Sequence, residues 1–149
     1  MEPHYYEVNV NWQSDRMGVM SSPELNTTVD VATPPQFPKG MPGIWSPEHL
    51  FTAAVSSCLM TTFLAIAENS KLEYTNLEIK SKGKLEMVEG KFLMTEVLLE
   101  PVLTITNEKD IERATRVLHK SEAVCLISNS VKAKVTMVPV VQVNHTAEV

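Results

Sequence analysis

A chain of 149 residues is the length of one domain and buries a core without disulfide or metal staples. Its make-up, 44% hydrophobic and 21% charged, is that of a soluble globular protein. The net charge of −5, with no Lys/Arg run, excludes the basic footprint of a nucleic-acid binder.

The start, MEPHYYEVNV, lacks the basic stretch and apolar run of a signal peptide, so the chain is expected to be cytoplasmic. Residues 4 to 13 alternate as a strand, with Tyr6, Val8, Val10 and Trp12 on one face. Ser14 to Gly18 reads as a turn into a second short strand, and Leu25 to Val31 as a third. Between Thr33 and Trp45 come Pro34, Pro35, Pro38, Gly40, Pro42 and Gly43, which no regular element accommodates. A loop this long either lines a binding site or is a plain crossover.

Ser46-Pro47-Glu48 is a helix start: an N-cap serine, proline in the first helical position, and an acid at the positive end of the dipole. The helix that follows is apolar nearly all round, which predicts burial on most sides, and it ends near Asn69 or Ser70. From His49 to Ala67 it carries no Asp, Glu, Lys or Arg, nearly enough apolar chain to span a bilayer. Its five serines and threonines, its acidic flanks (Glu48, Glu68) and its isolation favour a buried core helix and no membrane. Strands are expected at about 76 to 88 and 91 to 105 around a Glu89-Gly90 turn. Lys80, Lys82, Lys84, Lys132 and Lys134 alternate as solvent faces of strands.

An Asn107 cap starts a second helix with Ile111, Ala114, Val117 and Leu118 at helical spacing. Ser121 to Ser128 reads as a further helical turn bearing Cys125, and a last strand runs from about 131 to 143 with Pro139 at an edge or bulge. The tail after Asn144 is expected to fray. Strands broken by two helical blocks predict an α+β fold in one domain, 1–149.

Chemistry-bearing residues are few. The four histidines (4, 49, 119, 145) share no ligand spacing, no Cys-x-x-Cys occurs, and no phosphate or dinucleotide fingerprint is present, so no metal or cofactor is expected. Cys58 and Cys125 remain, either as core filler or as reactive thiols. A mid-helix thiol gains little from the helix dipole, and at its ordinary pKa of about 8.5 only a few per cent is thiolate at neutral pH. A reactive Cys58 therefore calls for a cation. Of the three arginines, Arg16 lies in the turn region, whereas Arg113 and Arg116 read as solvated. A cation there needs an acid to fix it, and Glu48 is the natural one, unless it merely decorates the helix start.

The run Ser46-Pro47-Glu48-His49-Leu50-Phe51-Thr52-Ala53-Ala54-Val55-Ser56-Ser57-Cys58 resembles the first cysteine motif of the OsmC/Ohr hydroperoxide reductases. Ser121-Glu122-Ala123-Val124-Cys125-Leu126-Ile127-Ser128-Asn129 is similar to the second, and Arg16-Met17-Gly18 with Ser21-Ser22 to the turn bearing the family's active-site arginine. Leu126 departs from the pattern, in which proline usually follows the second cysteine; the exchange is expected to alter the local backbone more than the chemistry. The resemblance implies an OsmC-like fold of antiparallel sheets with a buried central helix in an intertwined homodimer. It also implies a peroxidase without metal or flavin: Cys58 reduces an organic hydroperoxide, Cys125 closes a disulfide with it, and a dithiol, often lipoyl-based, reopens that bond. Arg16 would lower the Cys58 pKa and steady the departing oxygen, and Glu48 would orient Arg16.

Two other readings use the same scaffold: a non-catalytic dimeric module with core cysteines, and a thioester hydrolase using Glu48 or His49. Geometry adds a condition. Glu48 and Cys58 stand about 15 Å apart along one helix and roughly 80° apart around it. To share one arginine, either the helix breaks between them or two subunits combine.

Overall fold

The alternation seen near the amino terminus folds into a three-stranded antiparallel sheet. In this computed structural model, in which residues 1–144 are described, its strands are β1 (Asn9–Ser14), β2 (Met17–Ser21) and β3 (Val29–Ala32). The expected fraying after Asn144 lies outside the described residues. Asp15, at φ 46°, turns β1 into β2, and Trp12 Nε1 donates to the Asp15 carbonyl at 3.0 Å. The proline-rich segment is held by its own backbone: Ala32 donates to Trp45, Met41 to Thr33, and Gly40 to Phe37. Residues 1–50 form one compact unit and residues 51–149 a second.

The long helix α1 (Pro47–Asn69) starts as its sequence dictates, with Ser46 Oγ accepting from the His49 amide at 3.2 Å. It buries Val55, Cys58, Leu59, Phe63 and Ala67, one stripe at helical spacing. Met60 and Leu64, on another face, are exposed, so burial on most sides does not hold within one chain. By length and composition, α1 is the one helix among the described residues apolar enough to cross a membrane.

The second sheet is built on the hairpin β4 (Asn76–Val88) and β5 (Lys91–Ile105), closed at Glu89 (φ 51°) and Gly90 (φ 80°). Two positive φ angles in a two-residue loop match the right-handed twist of the strands. The expected last strand is two short ones, β6 (Lys134–Met137) and β7 (Val140–Val143). Both pair parallel with β5, through Glu96↔Lys134 and Val102↔Val140. Pro139 stands between them and cannot donate to the ladder. This sheet is therefore mixed rather than antiparallel. A helical crossover separates β5 from β6, and such a crossover lets strands return in parallel.

That crossover is α2 (Ile111–Ala123), reached through a 3-10 turn at Glu108–Asp110 that Asn107 caps by accepting from the Lys109 amide. Ala114, Val117, Leu118 and Ser121 face inward. Arg113 is not solvated as its polar neighbours suggested. It is half-buried, pairs with Asp110 at 3.5 Å and donates to the Ser70 carbonyl just past the end of α1. One core cluster joins Phe63, Ala67, Leu103, Ile105 and Leu118; another joins Val55, Leu59, Val97, Leu99 and Ala133. At Gly83 of β4, an added Cβ would run into Thr52 Oγ1, so the missing side chain lets the helix start approach the strand.

Candidate active site

Within the second unit, α1 presents Cys58 in mid-helix, 7% exposed, and the segment after α2 presents Cys125, wholly buried. Cys125 lies just past the helix end, between α2 and a 3-10 turn at Ser128–Ser130, rather than inside a helical turn. Both thiols are free, and each acts on the other's titration.

Their titration moves in opposite directions. Burial alone pushes the Cys58 thiol up. The Cys125 S–H, the Ile127 amide, Thr62 and the Leu126 amide outweigh it together and hold Cys58 below the ordinary thiol value. The Thr62 hydroxyl lies 3.9 Å from Cys58 Sγ, one helical turn further on. Cys125 is pushed up, first by burial and then by giving its proton's hydrogen bond to Cys58. Cys58 is thus the more readily ionised of the two thiols, and the thiolate is the reactive form of a cysteine.

Arg16 and Glu48 belong to the first unit. Arg16 sits in the β1–β2 turn, where its carbonyl accepts from the Thr33 amide at 3.2 Å, and Glu48 stands in the first turn of α1. The two line one cavity of about 580 Å³ with Trp12, Thr33, Pro34 and Phe37. The proline-rich loop thus contributes to a cavity wall. The structure groups the four sequence candidates as two pairs: an acid and a cation on a largely apolar cavity in one unit, two buried thiols that act on each other's titration in the other.

His49, the hydrolase candidate, has its Nδ1 2.7 Å from Ser46 Oγ. Ser46 is wholly buried and already accepts from the His49 amide, so this pair caps the helix. Among the described residues no group of three or more His, Cys, Asp or Glu gathers to hold a metal ion. Sequence reasoning missed Thr62 and the two amides. Thr62 was discoverable, since a residue four positions from Cys58 on a helix is its neighbour. Backbone amides carry no residue signal, and only the path of the chain past Cys125 reveals them.

The family model of the OsmC-like proteins matches residues 40–139, two thirds of the chain. The uncharacterized protein YmaD of Bacillus subtilis (strain 168) is 25% identical over 145 residues, covering 92% of this chain and 93% of its own. Among solved structures, an OsmC-like protein of unknown function from Vibrio cholerae superposes with a TM-score of 0.81 at 22% identity, over 93% of this chain and 100% of that one. An organic hydroperoxide resistance protein from Elizabethkingia anophelis gives 0.74 at 22% identity, over 96% and 100%. At these identities the structural likeness is one of fold, and the fold is the α+β arrangement described above. The family match covers both cysteines and Glu48, and the chain belongs to the OsmC-like protein family.

Proposed function

We propose that the protein is a thiol-dependent peroxidase acting on organic hydroperoxides. The observation that carries this reading is that two buried thiols, Cys58 and Cys125, act on each other's titration, the first one's pKa being lowered and the second's raised. A pair of core fillers has no need of opposite shifts, and a disulfide needs its two cysteines to be near neighbours.

The cycle balances without a metal. The Cys58 thiolate attacks the peroxide O–O bond; the distal oxygen stays on sulfur as a sulfenic acid, and the other leaves, with a proton, as the alcohol. Cys125 then attacks the Cys58 sulfur, its proton leaves with the hydroxyl as water, and a disulfide forms. A dithiol, of the lipoyl kind in the family, reopens that bond by exchange and becomes oxidised itself. Arg16 is the cation that steadies the departing oxygen, and Glu48 orients its fork. The apolar wall of Trp12, Pro34 and Phe37 suits a peroxide with a carbon tail.

The reading includes a homodimer. Helix α1 runs unbroken from Pro47 to Asn69, which speaks against a break bringing Glu48 and Cys58 to one arginine and supports two subunits combining. Exposed Tyr6, Val8, Val10 and Trp12 supply an apolar surface for a partner copy. A reducing cytoplasm, which supplies dithiols, is the setting such a cycle needs. A thioester hydrolase using His49 is less well supported, because His49 is engaged with the buried Ser46 hydroxyl at the start of α1.

Thiol titration before and after one equivalent of an alkyl hydroperoxide tests the reading. Both thiols should disappear, and a dithiol should restore them. C125S should stall after a single turnover with Cys58 as sulfenic acid, while hydrolase activity would be indifferent to that change. Survival of both thiols rules the peroxidase out.

A further inference from the structure

Serine and threonine hydroxyls on a helix commonly turn back to the carbonyls of the preceding turn. In α1, Ser56, Ser57 and Thr61 do so, donating to the carbonyls of Ala53 at 3.3 Å, Ala54 at 3.4 Å and Cys58 at 3.2 Å. Thr62 differs. The carbonyl one turn before it is that of Cys58, which already accepts from Thr61, and Thr62 Oγ1 lies instead 3.9 Å from Cys58 Sγ. Side chains on a helix lean toward its amino terminus, so a residue four positions on covers the one before it. The β-branch of threonine restricts its rotamer, which keeps the hydroxyl over the sulfur. Thr62 is half-buried and Cys58 is buried, so little water competes for that contact.

We propose that Thr62 is a positioning residue for Cys58: its hydroxyl accepts from the thiol, donates to the thiolate, and so holds the sulfur in both states. A hydroxyl serves both by rotating its O–H, because it carries one donor and two acceptor sites. The bond to the charged form is the stronger, so the balance favours the thiolate. That is the direction in which the Cys58 thiol is displaced. Both groups stand on α1, so the contact needs neither the first unit nor a second subunit. Among the described residues, the titratable group of another element that acts on Cys58 is Cys125, after α2. The α1 residues one turn away, Ala54, Val55, Thr61 and Thr62, carry no charge. Use of the held thiolate against a peroxide rests on the peroxidase reading; the hold itself does not.

The test therefore starts without peroxide. Labelling of Cys58 by iodoacetamide is followed against pH, by peptide mass spectrometry, in the parent and in T62V, T62S and T61V. Valine keeps the shape of threonine and loses the hydroxyl; serine keeps the hydroxyl. T62V should move the labelling midpoint upward and slow labelling at neutral pH about three- to tenfold, one pKa unit being a factor of ten in thiolate. T62S should recover most of that loss. T61V removes a hydroxyl bonded to a carbonyl and should leave the midpoint where it is. If T62V does not fold, T62A takes its place with the same expected direction. A midpoint in the hydroxyl-free variant equal to the parent's, a T62S midpoint no closer to the parent's, or an equal shift in T61V overturns the proposal. An alkyl hydroperoxide is then added to the parent. A shifted midpoint in T62V with no oxidation of the parent would overturn the peroxidase reading and leave this one standing; an unshifted midpoint with rapid oxidation would do the reverse.

Discussion

Where the second unit packs Leu59, Phe63, Leu99 and Leu103 wholly out of solvent, the first leaves Tyr6, Val8, Val10 and Trp12 in it. The thiols belong to the packed unit, on a long helix and a hydrogen-bonded turn. The cation, the acid and the cavity belong to the open one, on a two-residue turn, a helix start and a proline-rich loop. A sulfur pair that must meet within a bond length needs rigid support. A cavity admitting varied carbon tails can be built on loops, and loops tolerate change. On the peroxidase reading the difference would give bond-making to one unit and substrate choice to the other, and it is open to breaking at three points.

The largest effect concerns packing. Phe63→Ala should cost about 3–5 kcal/mol in denaturant unfolding, because a large ring leaves a sealed cluster. Trp12, 76% exposed in the single chain, should cost under about 1 kcal/mol if nothing covers it. A partner copy would change that. The cost of Trp12→Ala would rise with protein concentration, since dimer stability is inseparable from it. A concentration-independent small cost would leave the exposed strand face without a partner and remove the dimer from the functional reading.

The second point is the cavity. Arg16→Ala should slow oxidation of Cys58 by an alkyl hydroperoxide about 10- to 100-fold, the scale of losing a charged transition-state donor. Arg16→Lys should recover only part, because an ammonium cannot fork onto a carboxylate. Stopped-flow oxidation and iodoacetamide labelling, run side by side, separate two contributions. A parallel fall means that Arg16 lowers the Cys58 pKa; a fall in peroxide oxidation alone means that it serves the departing oxygen. No change in either would confine the chemistry to the second unit.

The same division shows in what could be read from residues alone. The Ser46-Pro47-Glu48 start, the Glu89-Gly90 turn and the Asn107 cap are local signals, and each appears where its side chains put it. Strand direction is not local. Alternation places Val135 and Val141 on a face but is blind to whether β6 and β7 run with β5 or against it, so the mixed sheet was out of reach. Arg113 was misread for a similar reason, because its partner, the Ser70 carbonyl, lies 43 positions away. At the site, the cysteines and the Arg16–Glu48 pair were visible as residue types. The demand of Cys58 for a cation came from its mid-helix place; within the second unit Cys125, the Ile127 and Leu126 amides and Thr62 lower its pKa without one. Leu126 was expected to matter for the backbone more than the chemistry. Its amide is among the groups that lower the Cys58 pKa, so a change of backbone there would reach the thiol.

The smallest effect, and the one that tells the two thiols apart, is in the pH dependence of stability. Cys58 has a folded pKa below its unfolded value of about 8.5. Such a group binds fewer protons when folded, so its contribution is present above the unfolded pKa and is lost as pH falls through the folded one. Cys125 has its folded pKa raised, so its contribution is present below about 8.5 and is lost as pH rises through the folded value. The stability advantage of the parent over C58S should therefore grow as pH climbs from below the folded Cys58 value toward 8.5. The advantage over C125S should shrink in the alkaline range above 8.5. Urea unfolding in reducing buffer at a series of pH values reads both slopes. Slopes of the same sign would mean that the two sulfurs share one environment, and the asymmetry on which the peroxidase reading rests would be gone.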